Sequence, residues 1–158
     1  MSKADLLDQL CRAGVQVNEL GRQLFADARF VTCATPSIVE VTQTSVARLG
    51  LPGGGTFAEI LGAAALRGLS PCALELAPHL RLQFTTQAEG FIGSPISHNQ
   101  APPGSLTVAS IPVSEDDDDP SGFYLRRING VPWLRGYRSW PGHVWSATDE
   151  FVFAATVG

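Results

Sequence analysis

Two arginines and three aromatic residues recur at alternating positions in the stretch Gly122–Arg138, GFYLRRINGVPWLRGYR. Successive side chains of a β-strand point to opposite faces. Tyr124 and Arg126 therefore share one face of the first run, and Trp133, Arg135 and Tyr137 share one face of the second. Guanidinium groups interleaved with aromatic rings can stack a planar ligand, grip a carboxylate or phosphate through paired hydrogen bonds, or anchor a protein interface. The pattern also has a purely structural use. Arg126 lying over Trp133 across the strands is a cation–π pair of roughly 0.5–1 kcal/mol when exposed, and it needs no ligand.

For these five residues to meet, the two runs must pair in one register. Asn129-Gly130 between runs rich in β-branched and aromatic residues is a strong hairpin signal, because a type I′ turn needs positive φ at both central residues. With Asn129-Gly130 as the whole loop, Ile128 faces Val131, Arg126 faces Trp133, Leu125 faces Leu134 and Tyr124 faces Arg135. Phe123, Leu125 and Leu134 then form the core side, with Arg127 and Arg138 toward its margins. A three-residue loop would shift the register and scatter the face.

Other chemistry is less well supported. His79, His98 and His143 lie far apart, with no HxH or HxxxH pair to suggest a metal. Cys72 sits in the apolar run PCALEL and reads as a buried, inert thiol. Paired with a loop histidine, His98 or His143, it would instead make a nucleophile and its base. There is no GxSxG elbow, and Glu75 and Glu89 have no evident partner. Leu51–Gly55, LPGGG, enters a helix N-terminus, where an anion can bind. It matches neither GxGxxG nor a P-loop, and Glu59 would repel an anion, so a flexible connection is expected. The acidic run Glu115–Asp119 lacks calcium-loop spacing and reads as a solvated loop that can screen the hairpin arginines. No catalytic residue, metal or cofactor is assigned.

The 158 residues suit a single domain, with residues 1–30 as a helical segment and 36–154 as an α+β core. A hydrophobic fraction of 44% with 16% charged residues is that of a globular chain. The net charge of −4 argues against nucleic acid or an anionic membrane as partner. Three cysteines without a CxxC suggest neither a disulfide framework nor a zinc site. The start, MSKADLLDQL, has no apolar signal core, and no run of about 18 apolar residues could span a membrane. A cytoplasmic location is expected.

Local signals give the elements. Ser2 can cap a helix over Ser2–Ala13 with Leu7, Leu10 and Cys11 in a stripe, ended by Gly14. Asn18 can cap a second, with Leu20, Leu24 and Ala28 on one face. The two would form a helical hairpin on the sheet or a dimerisation arm. Thr56 and Glu59 form a capping box before the stripe Phe57, Ile60, Leu61 and Ala64. Ser70-Pro71 can open a short helix that Pro78 ends. Strands are expected at Ile38–Val46, Leu80–Phe84, Ser105–Val113 and Glu150–Ala154, with a long irregular loop over Thr85–Gly104. The sum is α+β: N-terminal helices packed on a mostly antiparallel sheet that includes the 122–138 hairpin.

The stretches LGLPGGGTFAEI, LELAPHLRLQF, PPGSLTVAS, GFYLRRINGVPWLRGYR and HVWSATDEFVF, spread over about Val46 to Phe153, resemble a family of uncharacterised bacterial proteins. The resemblance implies a bacterial origin and carries over no activity and no site residues. The residues themselves favour a small protein-interaction module that binds a partner, or a second copy, through Tyr124, Arg126, Trp133, Arg135 and Tyr137. The alternatives are a binder of an anionic small molecule, such as a nucleotide-like or carboxylate metabolite, and a small enzyme with loop-borne His or Cys chemistry.

Overall fold

The computed structural model describes residues 1–35, 37–89 and 104–155. Local capping starts three of its helices. Ser2 Oγ accepts the Asp5 amide and the Asp5 carboxylate accepts the Ser2 amide, opening α1 (Lys3–Arg12). Asn18 caps α2 (Glu19–Ala26), and Thr56 with Glu59 boxes α3 (Phe57–Ala65). The fourth helix, α4, spans Leu76–Gln83.

The strands are β1 (Gln16–Val17), β2 (Val41–Ser45), β3 (Gly55–Thr56), β4 (Leu69–Ser70), β5 (Leu106–Val108), β6 (Gly122–Ile128), β7 (Val131–Tyr137), β8 (Val144–Trp145) and β9 (Glu150–Ala155). The main sheet runs β1-β7-β6-β5-β9-β2, with β4 also paired to β9. It is mostly antiparallel, β1–β7 and β5–β9 being the parallel pairs, and the α+β class holds. β3 and β8 form a separate two-stranded ribbon.

Alternation along the strands gives the sheet two apolar faces. One face contributes Leu106, Val108, Phe123, Leu125, Leu134 and Val152 to a cluster with Leu6 and Leu10 of α1, Leu24 and Phe25 of α2, and Ala77 of α4. The other contributes Phe151 and Phe153 to a cluster with Val46, Leu49, Ile60, Ala64 and Trp145. On this second side Ile60 and Ala64 of α3 and Trp145 of β8 cluster with Phe151 and Phe153 of β9, and Tyr137 of the hairpin packs against that cluster.

Several expectations need correction. Leu80–Phe84 is not a strand: Leu80 to Gln83 complete α4. Pro78 does not end that helix but occupies its first turn, where the backbone N–H needs no intrahelical acceptor. Ser70-Pro71 opens no helix, because Leu69–Ser70 pairs with β9 as β4. The strands expected at Ile38–Val46 and Ser105–Val113 contract to β2 and β5. α1 and α2 are not a simple helical hairpin, because β1 between them joins the sheet beside β7. The buried stripe of α1 is Leu6 and Leu10 while Cys11 is exposed, and α2 ends before Ala28.

Candidate functional site

The hairpin forms in the two-residue-loop register. Asn129 and Gly130 have φ of 52° and 75°, the left-handed pair that a type I′ turn needs. Ile128 faces Val131, Arg126 faces Trp133, Leu125 faces Leu134 and Tyr124 faces Arg135. Tyr124, Arg126, Trp133, Arg135 and Tyr137 thus share the side of the sheet opposite Phe123, Leu125 and Leu134, and all five are half-buried.

The guanidinium over Trp133 is that of Arg135, not Arg126. Arg135 lies 5.0 Å from the Trp133 ring centroid and 5.9 Å from that of Tyr124. Its Nε donates to the Tyr124 hydroxyl at 2.7 Å. The reason is geometric: Arg135 has Tyr124 directly opposite and Trp133 two residues away on its own strand, so one side chain reaches both rings. A half-desolvated cation between two rings is worth more than an exposed one, about 1–2 kcal/mol.

An aromatic series continues from this cation. Tyr124 and Tyr137 have centroids 6.3 Å apart, Tyr137 meets Trp145 edge-on at 5.6 Å, and His143 lies 4.9 Å from Trp145 and 5.0 Å from Trp140. Burial pushes the Tyr137 hydroxyl well above the usual phenol range. Gly122, opposite Tyr137, leaves the room: a Cβ there would stand 3.2 Å from that hydroxyl. Trp145 belongs to the second core cluster and Tyr137 packs against it, whereas Tyr124, Arg126, Trp133 and Arg135 continue the same face.

On the core side, a residue that the sequence reading missed supports the hairpin. Arg81 of α4 is 3% exposed. Its Nη1 donates to Gln87 Oε1 at 2.6 Å and to the carbonyls of Trp133 and Arg126 at 3.3 and 3.4 Å, and its Nη2 donates to the Phe84 carbonyl at 2.6 Å. Burial, and secondarily the nearby Arg127, lowers its pKa. Gln87 in turn donates to the carbonyls of Leu125 and Gly104. The helical spacing of Ala77 and Arg81 was the available signal, hidden because LRLQF also alternates like a strand.

The remaining candidates do not converge on this face as a reactive set. The Cys72 thiol is buried, 3.6 Å from the Val152 carbonyl, and burial pushes its pKa up to about 12, which makes it an inert thiol rather than a nucleophile. His79 sits 3.9 Å from Glu75, whose carboxylate also accepts the Cys33 amide. His98 lies outside the described residues, as does most of the loop expected at Thr85–Gly104. Glu89 accepts the Gly130 amide at the hairpin tip and lies 3.9 Å from Arg127.

Two residues of the acidic run contact arginines. Asp118 accepts Arg138 Nε through its carbonyl at 2.7 Å, and Asp119 lies 3.8 Å from Arg29. Among the described residues no group of acidic, His and Cys side chains could hold a metal. In the Gly53–Gly55 loop the backbone at Gly54 packs closely on β8: a Cβ there would lie 2.2 Å from the Trp145 carbonyl oxygen. No protein-family model, curated protein or solved structure matches the chain, so the reading of the face rests on its own residues.

Proposed function

We propose that the protein is a small cytoplasmic interaction module of bacterial origin, which binds a protein partner through the half-buried face of Tyr124, Arg126, Trp133, Arg135 and Tyr137. One observation carries the reading. Arg135 is held between Tyr124 and Trp133 on a half-buried face of the sheet. Tyr, Trp and Arg are the residue types that dominate binding energy at protein interfaces, and fixing them beforehand lowers the entropy cost of association. Three free thiols fit a reducing compartment, and among the described residues no helix is long and apolar enough to cross a membrane.

The test is native mass spectrometry of the protein purified gently from its own host, beside Trp133→Ala and Arg135→Ala. The expected result is a protein-sized retained mass that both variants lose while melting within a few degrees of the parent. A much lower melting temperature in both variants would make the face structural and end the proposal. A small retained mass would replace the protein partner with an anionic ligand.

A further inference from the structure

β2 is an edge strand with one side paired to β9, and among the described residues nothing pairs with its other side. The direction of its free groups follows from the ladder. The Ala155 amide donates to the Glu40 carbonyl and the Val46 amide to the Asp149 carbonyl, so even-numbered residues from Glu40 to Val46 point their backbone groups at β9. The N–H and C=O groups of Val39, Val41 and Gln43 therefore point outward. Native edges are normally protected by lysine, proline or a bulge. Ser37–Val46 contains neither lysine nor proline, and its one charge is Glu40. The same edge exposes apolar side chains, with Ile38 99%, Val39 46% and Val41 40% accessible.

A second feature lies beside the free edge. Val41 and Gln43, with Leu106 and Val152 of the neighbouring strands and Leu80 and Phe84 from the C-terminal end of α4, line an open groove of about 330 Å³. An extended segment added to β2 would direct alternate side chains toward this groove, which is the geometry of strand addition.

We propose that the occupant is a second copy of this chain, pairing antiparallel through β2 about a two-fold axis at Val41. The segment is complementary to itself in that register. Val41 faces Val41 of the second copy, and Val39 faces its Gln43 at the mouth of the groove, so four valines gather on the groove side. The outward groups of Val39, Val41 and Gln43 pair with the same groups of the other copy, which satisfies two free edges in one step. Centring on Glu40 would oppose two carboxylates, and centring on Thr42 would set each valine against a polar residue. This surface is distinct from the hairpin face.

The experiment is sedimentation velocity of the full chain over a concentration series, beside Val41→Lys, Gln43→Pro and Trp133→Ala. Val41→Lys places two lysines opposite each other on the axis and raises the dimer dissociation constant about tenfold or more. Gln43→Pro removes an outward N–H, which an edge strand tolerates because the ladder to β9 does not use it. It therefore separates loss of pairing from loss of folding if the lysine variant misfolds. A concentration-dependent dimer weakened by whichever of these two variants keeps the parent's circular dichroism supports the proposal. A monomer at every concentration, a dimer that the folded edge variants leave intact, or a dimer abolished by Trp133→Ala alone overturns it.

Discussion

Asn18 and Gly136 are joined in both directions: Asn18 Nδ2 donates to the Gly136 carbonyl at 3.0 Å, and Asn18 Oδ1 accepts the Gly136 amide at 2.7 Å. The same Oδ1 accepts the Gly21 amide at 2.8 Å, which caps α2. One side-chain amide thus continues the β1–β7 pairing past Val17 and starts the helix that lies on β7. The approach is close enough to require glycine at 136, because a Cβ there would stand 2.6 Å from the Gly21 nitrogen. Asn18 thereby fixes the strand that carries Trp133, Arg135 and Tyr137.

Asn18→Ala is expected to lose about 2–3 kcal/mol of stability in urea titrations, from a lost N-cap of about 1 kcal/mol plus two buried backbone groups left unpaired. Asn18→Asp retains both acceptor contacts but sets a carboxylate oxygen against the Gly136 carbonyl, so an intermediate loss is expected. A change below about 0.5 kcal/mol in Asn18→Ala would show that the junction is held elsewhere.

Gly53 and Gly54 are adjacent and should respond in opposite ways to alanine. Gly54 has φ of +82° and faces the Trp145 carbonyl, whereas a Cβ on Gly53 meets nothing within 4 Å. Gly54→Ala is expected to cost about 2 kcal/mol or more, and Gly53→Ala to stay within about 0.5 kcal/mol. Since Trp145 packs on Tyr137, Gly54→Ala should also alter the near-ultraviolet circular dichroism of the aromatic series. Equal effects at the two glycines would contradict the close approach of β3 and β8.

Where a feature depends on a few adjacent residues, the sequence was enough to place it. The Asn129-Gly130 turn fixes the hairpin register, and the caps at Ser2, Asn18 and Thr56 act over three residues. What escaped is set by distant partners. LRLQF alternates like a strand, and its helical form rests on distant partners: the core that Ala77 and Leu80 pack into and the Gln87 side chain and hairpin carbonyls that receive Arg81. Arg126 and Arg135 are equivalent by alternation alone, and the Tyr124 hydroxyl opposite Arg135 decides which of them holds the rings. Leu69–Ser70 has no strand pattern of its own and pairs because β9 offers an open stretch beyond β5.

Cys72 gives the protein a calculable alkaline limit. Burial raises its thiol pKa from 9.0 to about 12, so the folded state keeps a proton that the unfolded chain releases above about pH 9. Stability from this group is complete below pH 9 and falls as pH rises toward 12, by about 1.4 kcal/mol at pH 10. Tyr137 adds a decline of the same sign above about pH 10, so the interval from about pH 8.5 to 10 is the one to use. Cys33 is raised by hydrogen bonding to Glu75 and is exposed, so Cys33→Ser serves as the common background. In that background Cys72→Ala should be less stable at neutral pH, from its small cavity, yet lose less stability across the interval than the parent. Thiol labelling of the native wild type should modify the exposed Cys11 first, Cys33 more slowly because Glu75 holds its thiol protonated, and Cys72 only on unfolding. Identical pH slopes with and without Cys72, or three thiols that react at one rate, would mean that the thiol is not held in the core.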